Sequence, residues 1–227
     1  MRSERKTRNK VLEDVFDKEL SHFRRALYKW RINKRRESKI IEALDRYIDE
    51  LNKVRKYACP LSVAILLSAI MEGVLFLRVG DEHEKASTTR TWQKNVAKGE
   101  EGISNLSLTQ LIQIADELLW LRSLGRQALV IQLQINFLRK EFPDLSNWKD
   151  PELPKWDAKL NSDTMHNLRK FRNRIHPNEL GQASLKRDGD DFVEVLWEGL
   201  RLLVLLEYLI GVEPALAELV VKDSKLD

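Results

Sequence analysis

Apolar residues recur every three or four positions between about Lys10 and Ile32, at Leu12, Phe16, Leu20, Phe23, Leu27 and Trp30. That interval matches the 3.6-residue turn and predicts one amphipathic helix. A second stripe, Ile41, Leu44, Ile48, Leu51 and Val54, predicts another from about Ser38 to Tyr57. The connector Asn33-Lys34-Arg35-Arg36 is short and basic, so the two helices read as a hairpin. Pro60, directly after Cys59, marks a boundary.

From Leu61 to Val79 the chain is apolar almost all round, interrupted by Ser62, Ser68, Glu72 and Gly73. A helix of this kind belongs at the centre of a fold. Glu72 is the odd residue in it: it pairs with a basic group, reaches solvent at one edge, or serves a site. The polar stretch from Gly80 to Asn105 reads as a long loop or weak helix with local mobility. Helical spacing returns after Ser107, a candidate N-cap, through Leu108, Leu111, Ile112, Ala115, Leu118 and Leu119.

A further helix is expected from about Gly125 to Lys140, followed by a Pro- and Trp-containing excursion from Phe142 to Trp156. Ser162 or Asp163 then caps a helix that ends at His176, because Pro177 pushes its predecessor out of helical geometry. The last long helix spans about Asp191 to Ile210. Before it, Asp188-Gly189-Asp190-Asp191 reads as a turn, since the further ligands of a calcium hand are missing. The flanks are too short to insist on a β-hairpin there. The expected layout is a basic helical hairpin over 1–59, a helical bundle over 60–212 and a tail over 213–227.

Nine Gly and six Pro in 227 residues leave few breaks for an all-β chain, so the fold class is all-α. With 43% hydrophobic residues the chain can bury one sizeable core. The uncharged run from Leu61 to Met71 is about half of the roughly 20 residues a membrane helix needs, so no membrane partner is expected. The basic start, MRSERKTRNK, leads into Val11-Leu12-Glu13-Asp14 rather than an apolar core, unlike a secretory signal, and a cytoplasmic location is the expectation. One cysteine, Cys59, and four scattered histidines offer neither a disulfide nor a zinc constellation.

The net charge of +4 is modest, yet its distribution is uneven. Residues 1–57 hold 18 Lys plus Arg against 10 Asp plus Glu, a surplus of +8, which leaves −4 for the remainder. An anionic partner such as nucleic acid suits the first part, as does a merely solvated basic face. His22 and His83 are expected at the surface, and the six tryptophans as packing anchors, because no basic-aromatic alternation links them.

The segment Met165-His166-Asn167-Leu168-Arg169-Lys170-Phe171-Arg172-Asn173-Arg174-Ile175-His176-Pro177-Asn178 carries the chemistry. At about 100° per residue, Leu168, Phe171 and Ile175 fall on a core-facing arc. Arg169, Arg172, Asn173 and His176 cluster on another, with His166 at its edge. Two guanidinium groups, an amide and an imidazole on one flank can hold a phosphate, orient it and move a proton.

This stretch resembles the signature of HEPN domains, the higher eukaryotes and prokaryotes nucleotide-binding superfamily: Arg, a polar residue such as Asn, and His after four to six intervening residues. Arg169 and His176 are separated by six, whereas Arg172-Asn173 supplies the polar step but stands closer to His176, so either arginine can be the motif residue. Ala64 to Leu77, AILLSAIMEGVLFL, is similar to the early helix that many bacterial members build around a Glu, and Leu108 to Ala115 resembles the helix that follows. The resemblance covers about Pro60 to Val212.

What the resemblance implies is a bundle of about four or five helices that pairs as a homodimer, with motifs of two protomers meeting in one cleft. Many members are metal-independent endoribonucleases of toxin, antiphage or RNA-processing systems. Under that reading His176 transfers the proton, Arg169 or Arg172 stabilises the phosphate and Asn173 orients either. His166, Lys170 and Arg174 would contact RNA, and no cofactor or metal is needed. The alternative within the resemblance is a non-catalytic interaction module whose hairpin docks a partner protein, an antitoxin or a defence-system component. Nucleotide binding beside a nucleotidyltransferase is weaker, because no Gly-rich phosphate loop is present. Independently of the resemblance, a helix-terminal His before Pro can simply cap the last carbonyls.

Overall fold

The computed structural model describes residues 2–33, 39–96, 103, 106–121, 158–173 and 188–210. The described residues form helices and short connections, with no strand among them, so the all-α reading holds. The predicted helix from Gly125 to Lys140, the excursion from Phe142 to Trp156, the hairpin connector at 34–36 and the tail from 213 lie outside the described residues.

Helix α1 runs over Arg2–Asn33 and α2 over Lys39–Val54. The Leu12, Phe16, Leu20, Phe23, Leu27 stripe is buried, Phe16 and Phe23 completely. Arg24 lies across the groove between the two helices, its Nε donating to Asp45 Oδ1 at 2.7 Å and its Nη1 to Asp49 Oδ1 at 2.8 Å. A 3₁₀ turn, Arg55–Tyr57, follows, and Arg55 pairs with Asp17 of α1. Ala58 closes that turn in the left-handed conformation, with its N–H on the Arg55 carbonyl. Pro60 then occupies the first turn of α3, where its fixed φ suits the helix and its missing N–H has no partner to lose.

Helix α3, Pro60–Asp81, is the axis of the fold. Its Val63, Ala64, Leu67, Ile70, Met71, Val74 and Leu75 are fully buried, because α2, α6 (Leu108–Glu117), α7 (Ala158–Asn173) and α8 (Asp188–Leu209) all pack against it. By length and composition alone this 22-residue helix would cross a membrane, a property hidden when only its uncharged run to Met71 is measured. Here neighbouring helices cover it instead. Helix α1 packs along α8 and α2 along α3, so residues 1–59 and the described part of 60–212 share one hydrophobic core.

Two glycines set how closely these helices approach. A Cβ on Gly73 of α3 would stand 2.7 Å from Leu44 Cδ2 of α2. On Gly199 of α8 it would stand 2.6 Å from Leu67 Cδ1 and 2.9 Å from Phe16 Cε2, both fully buried side chains. The three longest helices thus meet at a point that only hydrogen fits.

Of the long loop or weak helix expected after Gly80, the described residues show helix: α3 reaches Asp81, and the short helices α4, His83–Ser87, and α5, Arg90–Asn95, follow. Trp92 anchors α5 at 6% exposure, with the His83 ring edge-on at 4.9 Å. Four expectations are corrected. Helix α1 starts at Arg2 rather than near Lys10. Ser162 and Asp163 do not cap α7, since it starts at Ala158 and both lie inside it. Asp188 to Asp191 form the first turn of α8 rather than a separate turn or hairpin, which suits carboxylates at a helix N-terminus. His22 is not a surface residue: its Nδ1 lies 3.0 Å from Oε1 of Glu207, a fully buried residue of α8. By contrast, the Ser107 cap holds, as one half of a capping box with Gln110.

The α1–α8 seam is therefore partly polar. Glu19 is buried on α1 beside the same stripe, and burial lifts its pKa from 4.5 to about 7. A raised carboxyl pKa means that the folded state keeps a proton which the unfolded chain gives up from about pH 4.5, so stability falls as pH rises towards 7.

Two outcomes follow for chemical denaturation. Glu19→Gln is expected to stabilise the protein by about 3 kcal/mol at pH 8 and by less than about 1 kcal/mol at pH 5; an equal gain at both would refute the buried acid. Gly199→Val is expected to lower stability by about 1–3 kcal/mol through overpacking against Leu67 and Phe16.

Candidate functional site

Helix α7 presents three faces. Thr164, Met165 and Leu168 are buried towards α3 and α8. Leu168 also offers its backbone carbonyl to the buried Ser68 Oγ of α3, at 3.2 Å. One turn further along both helices, Arg172 Nη1 donates to Glu72 Oε2 at 3.0 Å. Two polar contacts at equal sequence spacing, 68 to 168 and 72 to 172, fix the rotation of α7 about its own axis. Glu72, the anomaly of the apolar helix, is thus the partner of Arg172.

With that rotation set, His166, Arg169 and Asn173 follow one another at intervals of three and four along the next flank. His166 and Arg169 are half-buried, and among the described residues His166 Nδ1 and Arg169 Nε have no hydrogen-bond partner although both atoms are closed to solvent. Burial, and then the Arg169 guanidinium, holds the His166 pKa below the ordinary 6.5, with Asp163 and Asp116 opposing. The imidazole is consequently neutral at pH 7, able to accept a proton or a hydrogen bond beside a fixed positive charge. Lys170 is exposed at the outer edge of this flank.

The expected cluster is therefore divided. His166, Arg169 and Asn173 share a face, whereas Arg172 is turned to α3 and engaged there. Arg174 and His176 lie outside the described residues. Asp116 of α6, which acts on His166, went unnoticed in the sequence because α6 carries the plain stripe of an amphipathic helix and nothing in its spacing marks the acid. No group of three or more His, Cys, Asp or Glu that could hold a metal ion is found among the described residues.

The arrangement makes two measurable statements. Followed by NMR, the His166 ring is expected to titrate below 6.5, and Arg169→Gln to move its midpoint upwards but not fully back, since burial remains. Because Arg172 and Glu72 are each more than a third exposed, a double-mutant cycle across them should give a coupling of less than about 1 kcal/mol. A larger value would mean that the pair carries the α3–α7 joint by itself.

No family model, no curated protein and no solved structure matches this chain.

Proposed function

We propose that this protein is a metal-independent endoribonuclease of the HEPN type, working in a bacterial toxin or antiphage defence system. The observation that carries the reading is the α7 flank: a neutral, half-buried imidazole next to a guanidinium whose Nε has no partner among the described residues, in line with the Arg169 to His176 motif. Such a flank has the groups that an RNA phosphodiester needs, with the Arg169 and Lys170 cations outnumbering the one carboxylate beside His166 on the same helix, Asp163.

The geometry also bears on the choice of motif arginine. The contact of Arg172 with Glu72 supports Arg169 as the phosphate ligand, with Arg172 as the residue that positions α7. In the proposed reaction the ribose 2′-hydroxyl loses its proton and attacks the adjacent phosphorus, and the bond from phosphorus to the 5′-oxygen breaks. The products are a 2′,3′-cyclic phosphate and a 5′-hydroxyl. His176 moves the proton, Arg169 neutralises the charge gathering on the phosphoryl oxygens, and Asn173 orients one of them. Lys170, Arg174 and His166 flank the strand, and a homodimer would bring two such flanks together.

A second reading, a non-catalytic interaction module, draws on the end of α1, where Tyr28 and Ile32 are 62% and 58% exposed. The two readings separate in one assay. Wild type, Arg169→Ala and His176→Ala are incubated with mixed RNA in EDTA and the fragment ends are analysed. Cleavage to cyclic phosphate ends, reduced at least a hundredfold by either substitution in protein that remains folded, is the expected result. Cleavage retained in His176→Ala, or absent in wild type, would refute the ribonuclease.

A further inference from the structure

Beside the α7 flank lies an open groove of about 450 Å³ between α5 and α6, and every residue lining it is polar. Arg90 and Lys94 rise from α5 one helical turn apart; Gln110, Gln113 and Asp116 face them from α6. The two cations are exposed, and no ion pair engages either among the described residues. Glu117, the other carboxylate at the rim, is already committed: its oxygens accept from the Arg90 and Thr91 backbone N–H groups at 2.6 and 3.2 Å, and from the Thr91 hydroxyl. Gln110 Oε1 accepts from the Ser107 N–H at 2.7 Å, which leaves the Gln110 amide donors for the groove.

No apolar side chain lines the groove, whose apolar wall is made by the stems of these polar residues, so a lipid or an apolar peptide would find no hydrophobic side chain to pack on. It suits a ligand that carries a negative charge and hydrogen-bond donors on flat or sugar-like faces. Asp116 lies in the groove wall on α6, and α6 packs against α7, so the groove and the α7 flank belong to neighbouring helices.

We infer that the α5–α6 groove is a nucleotide subsite for single-stranded RNA, next to the α7 flank. Arg90 and Lys94 take backbone phosphates, the Gln110 and Gln113 amides meet base edges, and Asp116 accepts from a ribose hydroxyl. The last contact distinguishes RNA from DNA, which lacks the 2′-hydroxyl donor. The inference rests on the ribonuclease reading in that both take RNA as the ligand, but it concerns residues that reading does not use.

The test is fluorescence anisotropy of the full chain with a labelled twelve-nucleotide single-stranded RNA, and its DNA counterpart, across a salt series. Wild type is expected to prefer RNA. The double variant Arg90→Ala, Lys94→Ala should bind it about tenfold more weakly and lose between one and two from the slope of log affinity against log salt. Asp116→Asn should narrow the difference between RNA and DNA. In parallel, RNA carrying 4-thiouridine is crosslinked by ultraviolet light, and labelled peptides from α5 or α6 are expected. Wild type that binds and cuts RNA while the double variant binds equally well, or crosslinks confined to other helices, would overturn the groove and leave the ribonuclease reading standing. Wild type that binds no RNA would overturn both.

Discussion

Everything in this molecule is arranged round the need to cover α3. A helix with apolar residues on all sides has no face it can leave to water, so it must be surrounded, and the chain supplies α2, α6, α7 and α8 to do so. Helix α1 is recruited at one remove, along α8. The hairpin that the sequence sets apart by charge is bound into the whole by this demand, because the apolar face of α2 is one of the coverings. Lys18, Arg25, Lys29, Lys39, Arg46, Lys53 and Lys56 then lie on the outside of a shared body, while Arg55 is buried against α1.

The same demand places the chemistry. A helix packed by apolar contacts alone can rotate by a fraction of a turn at small cost, since van der Waals contacts are numerous and individually weak. Ser68 and Glu72, the polar residues of α3 that meet α7, remove that freedom by taking the Leu168 carbonyl and the Arg172 guanidinium. Arg172 is thereby withdrawn from the flank, and Arg169, His166 and Asn173 are presented on it. An apparent flaw in the central helix is what aims its neighbour.

How much of this was legible follows the range of each interaction. Periodicity placed α2, α3 and α6 within a few residues of where they stand, and the end of α1, whose start at Arg2 lies well ahead of the apolar stripe; the Ser107 cap was readable because a capping box is a local motif. The α7 start was misplaced because Ser162 and Asp163 are good caps that here sit inside a helix, where packing of Met165 and Leu168 outweighs their preference. The short helices α4 and α5 were legible only as a loop or weak helix, since they are held by contacts from elsewhere: Ala86 and Trp92 in the core, and Glu117 from α6 on the backbone of α5. The pairing of His22 with Glu207 spans almost the whole chain and leaves no trace in spacing. Within the site, the residue types on α7 were readable, but their division between two faces depends on Glu72, a hundred positions away.

The contact at Gly199 reaches beyond stability. Leu67, Phe16 and the missing side chain of residue 199 share one volume contributed by three helices far apart in sequence. A lineage that acquires a methyl group at 199 has to surrender volume at 67 or 16, and until it does the intermediate is penalised. These three positions are therefore bound to drift together or not at all, so that the steric exclusion is also a constraint on the order in which mutations can be fixed.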